Sequence, residues 1–193
     1  MLGNKIAELF QDCVLAEGPD SNGSGPVIAA IEASTVIILH AMIEQIDHIN
    51  IVVDDLPRMI AFYRGQLGLR VTKEVTICGD WVEATVRLKD VLADVVYLEG
   101  TTGARLELIK YRFPDGGRPV GVSEPNAKGI RHLAFRVRGI DEMAASLKRA
   151  GVRIVSDVQA VPDSQVTYAG GVRKRLVYFY DPEGNLLELC EYA

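Results

Sequence analysis

Two features that mark other classes of protein are scarce in this chain of 193 residues. Only three cysteines occur, at Cys13, Cys78 and Cys190, and none of them forms a C-x-x-C spacing. An odd number of scattered cysteines argues against a disulfide framework and for a reducing compartment. Positive charge is also lacking, because the net charge is −5 at pH 7. A protein that binds nucleic acid is expected to carry a basic patch, so we expect no nucleic-acid partner.

The first 45 residues lack a segment that would cross a membrane. Val27–Ile43 is largely apolar, but Glu32 and His40 interrupt it, and it is shorter than the roughly 20 residues that span a bilayer. A signal peptide would place a basic region directly before its apolar core, which is not the pattern here. We therefore predict no membrane partner and a cytoplasmic location.

Residues 1–45 read instead as an N-terminal helical appendage and linker. Asn4–Ala16 has the pattern of a short amphipathic helix, and Gly18–Pro26 has the composition of a linker. Val27–Ile43 is expected to be a helix that packs on the main domain or on a second subunit. The alternative, an appendage before a module that begins near Met42, stays open.

What the chain does contain is an internal repeat. The stretch R-L-E-L-I-K-Y at Arg105–Tyr111 returns as L-L-E-L-C-E-Y at Leu186–Tyr192. The stretch I-D-H-I-N-I-V-V at Ile46–Val53 returns as I-R-H-L-A-F-R-V at Ile130–Val137. Each copy therefore carries one histidine near its start and one glutamate near its end.

The repeat predicts an α+β fold made of two β-α-β-β-β modules, at residues 46–113 and 130–193, joined by a Pro- and Gly-rich connector at 114–129. Together the modules should form a cupped, mainly antiparallel sheet with the helices on its convex side. One predicted helix begins at the start signal Asp54-Asp55-Leu56-Pro57. The other spans Asp141–Ala150 and is capped by Asp141. The predicted strands are Ile46–Val53, Leu69–Ile77, Trp81–Leu88, Val91–Leu98, Arg105–Tyr111, Ile130–Val137, Gly151–Val161, Arg173–Tyr180 and Leu186–Tyr192.

The period of two along these strands places the repeated polar residues on one face. His48 and His132 alternate with bulky apolar neighbours, and Glu107 and Glu188 each lie between two leucines. The sequence therefore predicts that all four side chains line the concave surface. Two imidazoles and two carboxylates suit a divalent ion such as Zn, Ni, Co, Mn or Fe(II). Taken singly, each histidine or glutamate reads as an ordinary structural or solvent-facing residue, and it is the repeated set that favours a metal site.

The chain resembles the vicinal oxygen chelate superfamily, which includes glyoxalase I and methylmalonyl-CoA epimerase. The stretches that carry the resemblance are I-D-H-I-N-I-V-V-D-D-L, A-F-Y-R-G-Q-L-G-L, L-E-L-I, I-R-H-L-A-F-R-V and F-Y-D-P-E-G-N-L-L-E-L, within Ile46–Tyr192. The resemblance implies metal ligands at His48, Glu107, His132 and Glu188, paired modules around a cupped sheet, and a homodimer. It also implies a small-molecule substrate.

The same resemblance implies a metal-dependent lyase or isomerase. Such an enzyme chelates a substrate through two neighbouring oxygens and moves a proton through a metal-stabilised enolate. Glu83 and Glu188 are the candidate catalytic bases, Glu83 because it matches the glutamate base of the epimerase. Asn50 and Arg136 share the concave face and are candidates for substrate binding, where Arg136 would favour a carboxylate or phosphate.

Two other functions remain open from the sequence. An extradiol dioxygenase holds Fe(II) by two histidines and one carboxylate, and Glu107 would take a position that oxygen needs. A non-catalytic resistance or binding protein on the same scaffold would be expected to lack metal ligands, whereas all four candidates are present here.

Overall fold

The computed structural model describes residues 43–166 and 169–193, in which Ile46–Ala193 form one compact unit. Residues 1–42 lie outside the described part of the chain, and they hold the predicted helix Asn4–Ala16, the linker and nearly all of Val27–Ile43. Within the described residues, no helix is long and apolar enough to cross a membrane.

The unit consists of two halves with the same order of main elements. The first half contains β1 (His48–Val52), α1 (Leu56–Gly65), β2 (Arg70–Cys78), α2 (Asp80–Val86), β3 (Leu92–Glu99) and β4 (Arg105–Phe113). The second half contains β5 (His132–Arg136), α3 (Ile140–Arg149), β6 (Gln159–Ala160), a 3-10 turn at Ala169–Gly171, β7 (Lys174–Tyr180) and β8 (Leu186–Tyr192).

Each half builds its own four-stranded sheet. The strand orders are β1-β4-β3-β2 and β5-β8-β7-β6. In each sheet the first and last strands of the half pair in parallel, and the other neighbours are antiparallel. The predicted α+β class with paired, mainly antiparallel modules is confirmed.

The start of α1 follows the predicted signal. The Asp55 side chain caps the helix by accepting a hydrogen bond from the Arg58 amide at 3.0 Å, and Pro57 occupies the first turn. Leu56, Met59 and Phe62 then recur at helical spacing and are buried. The helix therefore buries one apolar side, which packs against its sheet.

The predicted strand Trp81–Leu88 is wrong, because this stretch forms α2. Asp80 and Glu83 lie in its first turn, where negative charge is favourable, and Arg87 ends it in a left-handed conformation at φ 57°. Val82 is buried while the neighbouring Trp81 is 61% exposed. A run of seven residues is too short for a period of two to be told from a helical period by composition alone.

The predicted strand Gly151–Val161 is mostly wrong as well. Only Gln159 and Ala160 form β6, and Ile154 makes one isolated bridge to Phe179. The Ser156 hydroxyl and the side-chain amide of Gln159 each donate a hydrogen bond to the backbone carbonyl of Asp157. These local hydrogen bonds compete with strand pairing.

The predicted cap of α3 is also different. Gly139 is the cap residue, in a left-handed conformation at φ 74°, and Asp141 lies inside the first turn. The Asp141 carboxylate accepts two hydrogen bonds from the Arg175 guanidinium, at 2.7 and 2.6 Å. A glycine supplies the positive φ there without a side-chain clash.

One apolar core joins the two halves. The apolar sides of α1 and α3 and the leucine faces of β4 and β8 all belong to a single cluster. Its buried members are Val53, Leu56, Met59, Phe62, Tyr63, Val96, Leu98, Leu106, Leu108, Ile140, Leu147, Val177, Phe179, Leu187 and Leu189. The opposite faces of both sheets, which carry the repeated polar residues, therefore point away from this shared core.

Candidate functional site

Strand parity places each repeated glutamate opposite the core. Leu106 and Leu108 are 4% and 0% exposed, so Glu107 between them lies on the other face of β4. In the parallel pairing of β1 with β4, Asn50 is the partner of Glu107. In the second half Ala134 is the partner of Glu188 in the same way. Each first strand thus brings its histidine beside the glutamate of the last strand.

The first pair is His48 with Glu107. The His48 Nε2 atom lies 3.5 Å from Glu107 Oε2. The Asn50 amide donates to the same oxygen at 2.6 Å, and the Tyr97 hydroxyl donates to Oε1. On the other side of the ring, His48 Nδ1 donates to the Asp47 carboxylate at 2.8 Å. With the proton on Nδ1, this bond would orient the ring so that Nε2, the atom that faces Glu107, is available to a metal ion.

Two pKa shifts report the polar contacts of this pair. The hydrogen bonds from His48 and Arg105 hold the pKa of Asp47 below its ordinary value, so Asp47 stays an anion behind the imidazole. The hydrogen bond to Glu107, together with burial, raises the pKa of Tyr97 to about 12. Tyr97 is therefore a phenol donor at neutral pH, and its ring meets the His48 ring edge to face at 5.9 Å.

The second pair is His132 with Glu188. The His132 Nε2 atom lies 3.3 Å from Glu188 Oε2, and the Glu188 side chain is only 3% exposed. The Lys174 ammonium lies 2.8 Å from Glu188 Oε1. That oxygen is buried and makes no well-aligned hydrogen bond within the described residues. A carboxylate so far from water needs a charge partner, and Lys174 is that partner here.

The surroundings of Glu188 shift two further groups. Burial, then the Glu188 charge and hydrogen bond, raise the pKa of Tyr178. The contact with Glu188 also raises the pKa of Lys174. The Tyr178 ring lies 5.2 Å from the His132 ring, so each half combines a histidine, a glutamate and a tyrosine.

The structure brings the four predicted metal ligands together two by two. Among residues 43–166 and 169–193, no group of three His, Cys, Asp or Glu side chains converges on one point. Both pairs lie on sheet faces that point away from the shared core, so one chain presents two separate His–Glu half-sites. The assembly of all four around one ion remains a prediction.

The other predicted site residues fall into different places. Asn50 lies in the first half-site, bonded to Glu107. Arg136 ends β5 on the face of His132, with its guanidinium 5.2 Å from the centre of the Tyr192 ring. Glu83 lies in α2, and no hydrogen bond or ion pair among the described residues joins its carboxylate to either half-site.

Sequence reasoning missed Tyr97 and Tyr178. Each is the antiparallel partner of its glutamate, Tyr97 with Glu107 and Tyr178 with Glu188. The signal was present, because V-Y-L at 96–98 and V-Y-F at 177–179 repeat with the same offset as the glutamates. Lys174 was missed because it does not repeat, since the equivalent position in the first half is Ala93.

Comparison with known proteins identifies the family of this chain. Residues 45–189 match the model of the Glyoxalase/Bleomycin resistance protein/Dioxygenase superfamily. The chain is 34% identical to Escherichia coli (strain K12) YaeR over 149 residues, which is 77% of this chain and 97% of that protein. It is 29% identical to Bacillus subtilis (strain 168) YwkD over 150 residues, 78% of this chain and 98% of that protein.

A solved glyoxalase family protein from Bacillus cereus superimposes with a TM-score of 0.65 at 26% identity, covering 78% of this chain and 95% of that one. Because the matched region includes both halves and both His–Glu pairs, the chain belongs to the Glyoxalase/Bleomycin resistance protein/Dioxygenase superfamily, the vicinal oxygen chelate superfamily.

Proposed function

We propose that this protein is a divalent-metal-dependent enzyme of the glyoxalase or epimerase type. It would act as a lyase or isomerase on a small substrate that chelates the ion through two neighbouring oxygens. The observation that carries the proposal is the duplicated His–Glu pair. His48 with Glu107 and His132 with Glu188 occupy equivalent strand positions, with N···O distances of 3.5 and 3.3 Å.

Those distances suit two ligands of one ion. Ligands about 2.1 Å from a metal, at angles of about 90 to 109°, are themselves about 3.0 to 3.4 Å apart. The orientation of His48 by Asp47 is the arrangement that metal-binding histidines commonly show. The Glu188 Oε1 atom is buried beside the Lys174 ammonium and makes no well-aligned hydrogen bond among the described residues, so it has an unused acceptor position. The donor set fits Zn, Ni, Co, Mn or Fe(II).

The shared core supports one way in which the four ligands could meet. Because the two half-sites of one chain point away from the same core, we infer that a second copy of the chain would complete each site. The first half-site, His48 with Glu107, would face the second half-site, His132 with Glu188, of another copy. A homodimer would then hold two four-ligand centres, which places the function at the interface.

The residues around the centre have separate chemical roles. A bound divalent ion would supply Lewis acidity toward a chelated carbonyl, which favours loss of a proton from the adjacent carbon. Glu188 or Glu83 would accept that proton as a general base. Tyr97 and Asn50 hold the Glu107 carboxylate in place through its two oxygens, so that carboxylate is kept as a ligand rather than a mobile base.

A complementation experiment tests the composite centre. One chain carries His48→Ala and Glu107→Ala, and the other carries His132→Ala and Glu188→Ala. Each variant alone can form only sites with two ligands, but a mixed dimer has one intact site and one site with none. We expect metal analysis to find essentially no bound ion in either variant alone and one bound ion per mixed dimer. If the mixture stays free of metal while the wild type binds it, the site is not shared between chains.

Solvent deuterium exchange tests the base. The wild-type protein, loaded with each metal in turn, is incubated with α-hydroxyketones, glutathione hemithioacetals and acyl-CoA thioesters, and exchange at the carbon next to the carbonyl is followed by NMR. Glu83→Gln should keep its metal and lose exchange if Glu83 is the base. Undiminished exchange in Glu83→Gln assigns the role to Glu188, and no exchange by the wild type with any metal and substrate class would contradict the proposed chemistry.

A further inference from the structure

The faces that carry the His–Glu pairs share a histidine, a glutamate and tyrosines in both halves, but two neighbouring positions gain a positive charge in the second half. Val52 and Ala93 in the first half correspond to Arg136 and Lys174 in the second. The strand registers are equivalent, since Val52 pairs with Ile109 and Arg136 pairs with Cys190, while Ala93 pairs with Tyr111 and Lys174 pairs with Tyr192. Two apolar positions are thus replaced by two cations at the same places on the face.

The two cations converge on one aromatic ring. The Arg136 guanidinium lies 5.2 Å and the Lys174 ammonium 5.9 Å from the centre of the Tyr192 ring. Contacts of this kind hold a cation against an aromatic face without neutralising its charge. Among the described residues, Arg136 has no ion pair with a carboxylate, in contrast to Arg105 with Asp47 and Arg175 with Asp141.

The charge of this face is therefore positive. In β5, β7 and β8 its charged side chains are Arg136, Lys174 and Glu188, and the other residues on the face are His132, Ala134, Leu176, Tyr178, Tyr180, Leu186, Cys190 and Tyr192. Two cations against one carboxylate leave an excess of one positive charge before any ion binds. A divalent ion that engages Glu188 would take over the role of Lys174 as its charge partner and free the ammonium for another anion.

We propose that Arg136 and Lys174 form an oxyanion subsite beside the candidate metal centre, and that the substrate carries a carboxylate or phosphate group at one end. This proposal deepens the proposed function and depends on it for the position of the reacting carbon. The guanidinium fork suits two oxygens of such a group, and Lys174 adds a point charge. The apolar counterpart in the first half, Val52 and Ala93, makes the site selective for a substrate that is anionic at one end only.

Isothermal titration calorimetry of the full-length protein with inorganic phosphate and, separately, with acetate tests the subsite. Both the zinc-loaded and the metal-free protein are titrated, and zinc content is measured for every variant. We expect Arg136→Gln and Lys174→Gln each to weaken phosphate binding about tenfold in the zinc-loaded protein, which is the size of one charge-assisted hydrogen bond. Lys174→Arg should restore most of the affinity. Lys148→Gln, in the last turn of α3 away from this face, is the matched control and should bind as the wild type does.

Comparing the affinities for phosphate and acetate shows whether the subsite prefers a phosphate or a carboxylate group. Phosphate and acetate binding that is unaffected by either substitution, or no binding of either anion by the wild type, would overturn the subsite. The test is independent of the metal proposal in one respect. If the wild type takes up no zinc but the metal-free protein binds phosphate through Arg136, the subsite stands and the metal-dependent chemistry fails.

Discussion

Glu183 connects the two halves of the protein at the start of α1, and its removal should destabilise the whole unit. Its carboxylate, only 6% exposed, accepts hydrogen bonds from the Asp54 amide at 2.9 Å and the Asp55 amide at 2.7 Å. The Arg118 guanidinium of the connector donates to it at 2.8 Å. A carboxylate from the second half therefore satisfies amides that precede the first helix of the first half, where negative charge is favourable.

The size of the effect follows from these contacts. Hydrogen bonds to a charged group each contribute about 1.5–3 kcal/mol, but water can reach part of the freed surface. We expect Glu183→Ala to lower the free energy of unfolding by about 2–4 kcal/mol, and Glu183→Gln, which keeps one acceptor oxygen, by about 1–2 kcal/mol. For a chain of this size, about 2–4 °C is lost per kcal/mol, so the melting temperature of Glu183→Ala should fall by roughly 4–16 °C.

Urea unfolding followed by circular dichroism, with calorimetry for the melting temperature, measures the change. Glu124→Ala, on the exposed part of the connector, is the control and should change stability by less than about 0.5 kcal/mol. A double-mutant cycle of Glu183→Gln with Arg118→Gln should show that the two effects are not additive. If Glu183→Ala is no more destabilising than Glu124→Ala, the carboxylate does not hold the halves together.

Three further results are expected. Leu189→Ala, at a core position that is 0% exposed, should cost about 2–5 kcal/mol in urea unfolding, and a cost under 1 kcal/mol would contradict the shared core. Tyr97→Phe should weaken zinc binding in a competition titration more than Tyr111→Phe does, because only Tyr97 donates to Glu107; equal affinities would refute its role. The Arg175 hydrogen bonds hold the pKa of Asp141 below its ordinary value, so this pair contributes stability above the ordinary pKa and loses it as pH falls through the lowered pKa. Arg175→Gln should return the Asp141 pKa toward its ordinary value in a carboxyl NMR titration and remove that contribution; an unchanged pKa would contradict the assignment.

The sequence predicted the features that repeat. His48, Glu107, His132 and Glu188 could be found because each has a counterpart in the other copy, and strand parity then placed each pair on one face. Tyr97 and Tyr178 repeat at the same offset as the glutamates. They were not predicted as site residues because tyrosine is common in strands for structural reasons alone.

What the sequence could not predict depends on tertiary packing or on departures from the repeat. Lys174 has no counterpart, so the comparison of the two copies did not mark it. The helix α2 appeared as a strand because seven residues carry too little periodicity. The outward direction of both half-sites arises from α1 and α3 meeting in one core, and no local pattern specifies which faces of two modules will meet.

That shared core has a consequence for the backbone between the halves. A protease that cuts the connector at residues 114–129 would sever the chain but not the buried contacts of Met59, Phe179 and Leu187. The two fragments should stay associated and melt in a single transition. Each fragment on its own would expose an apolar surface that the other one covers in the intact protein, so the modules, although duplicated in sequence, are interdependent in folding.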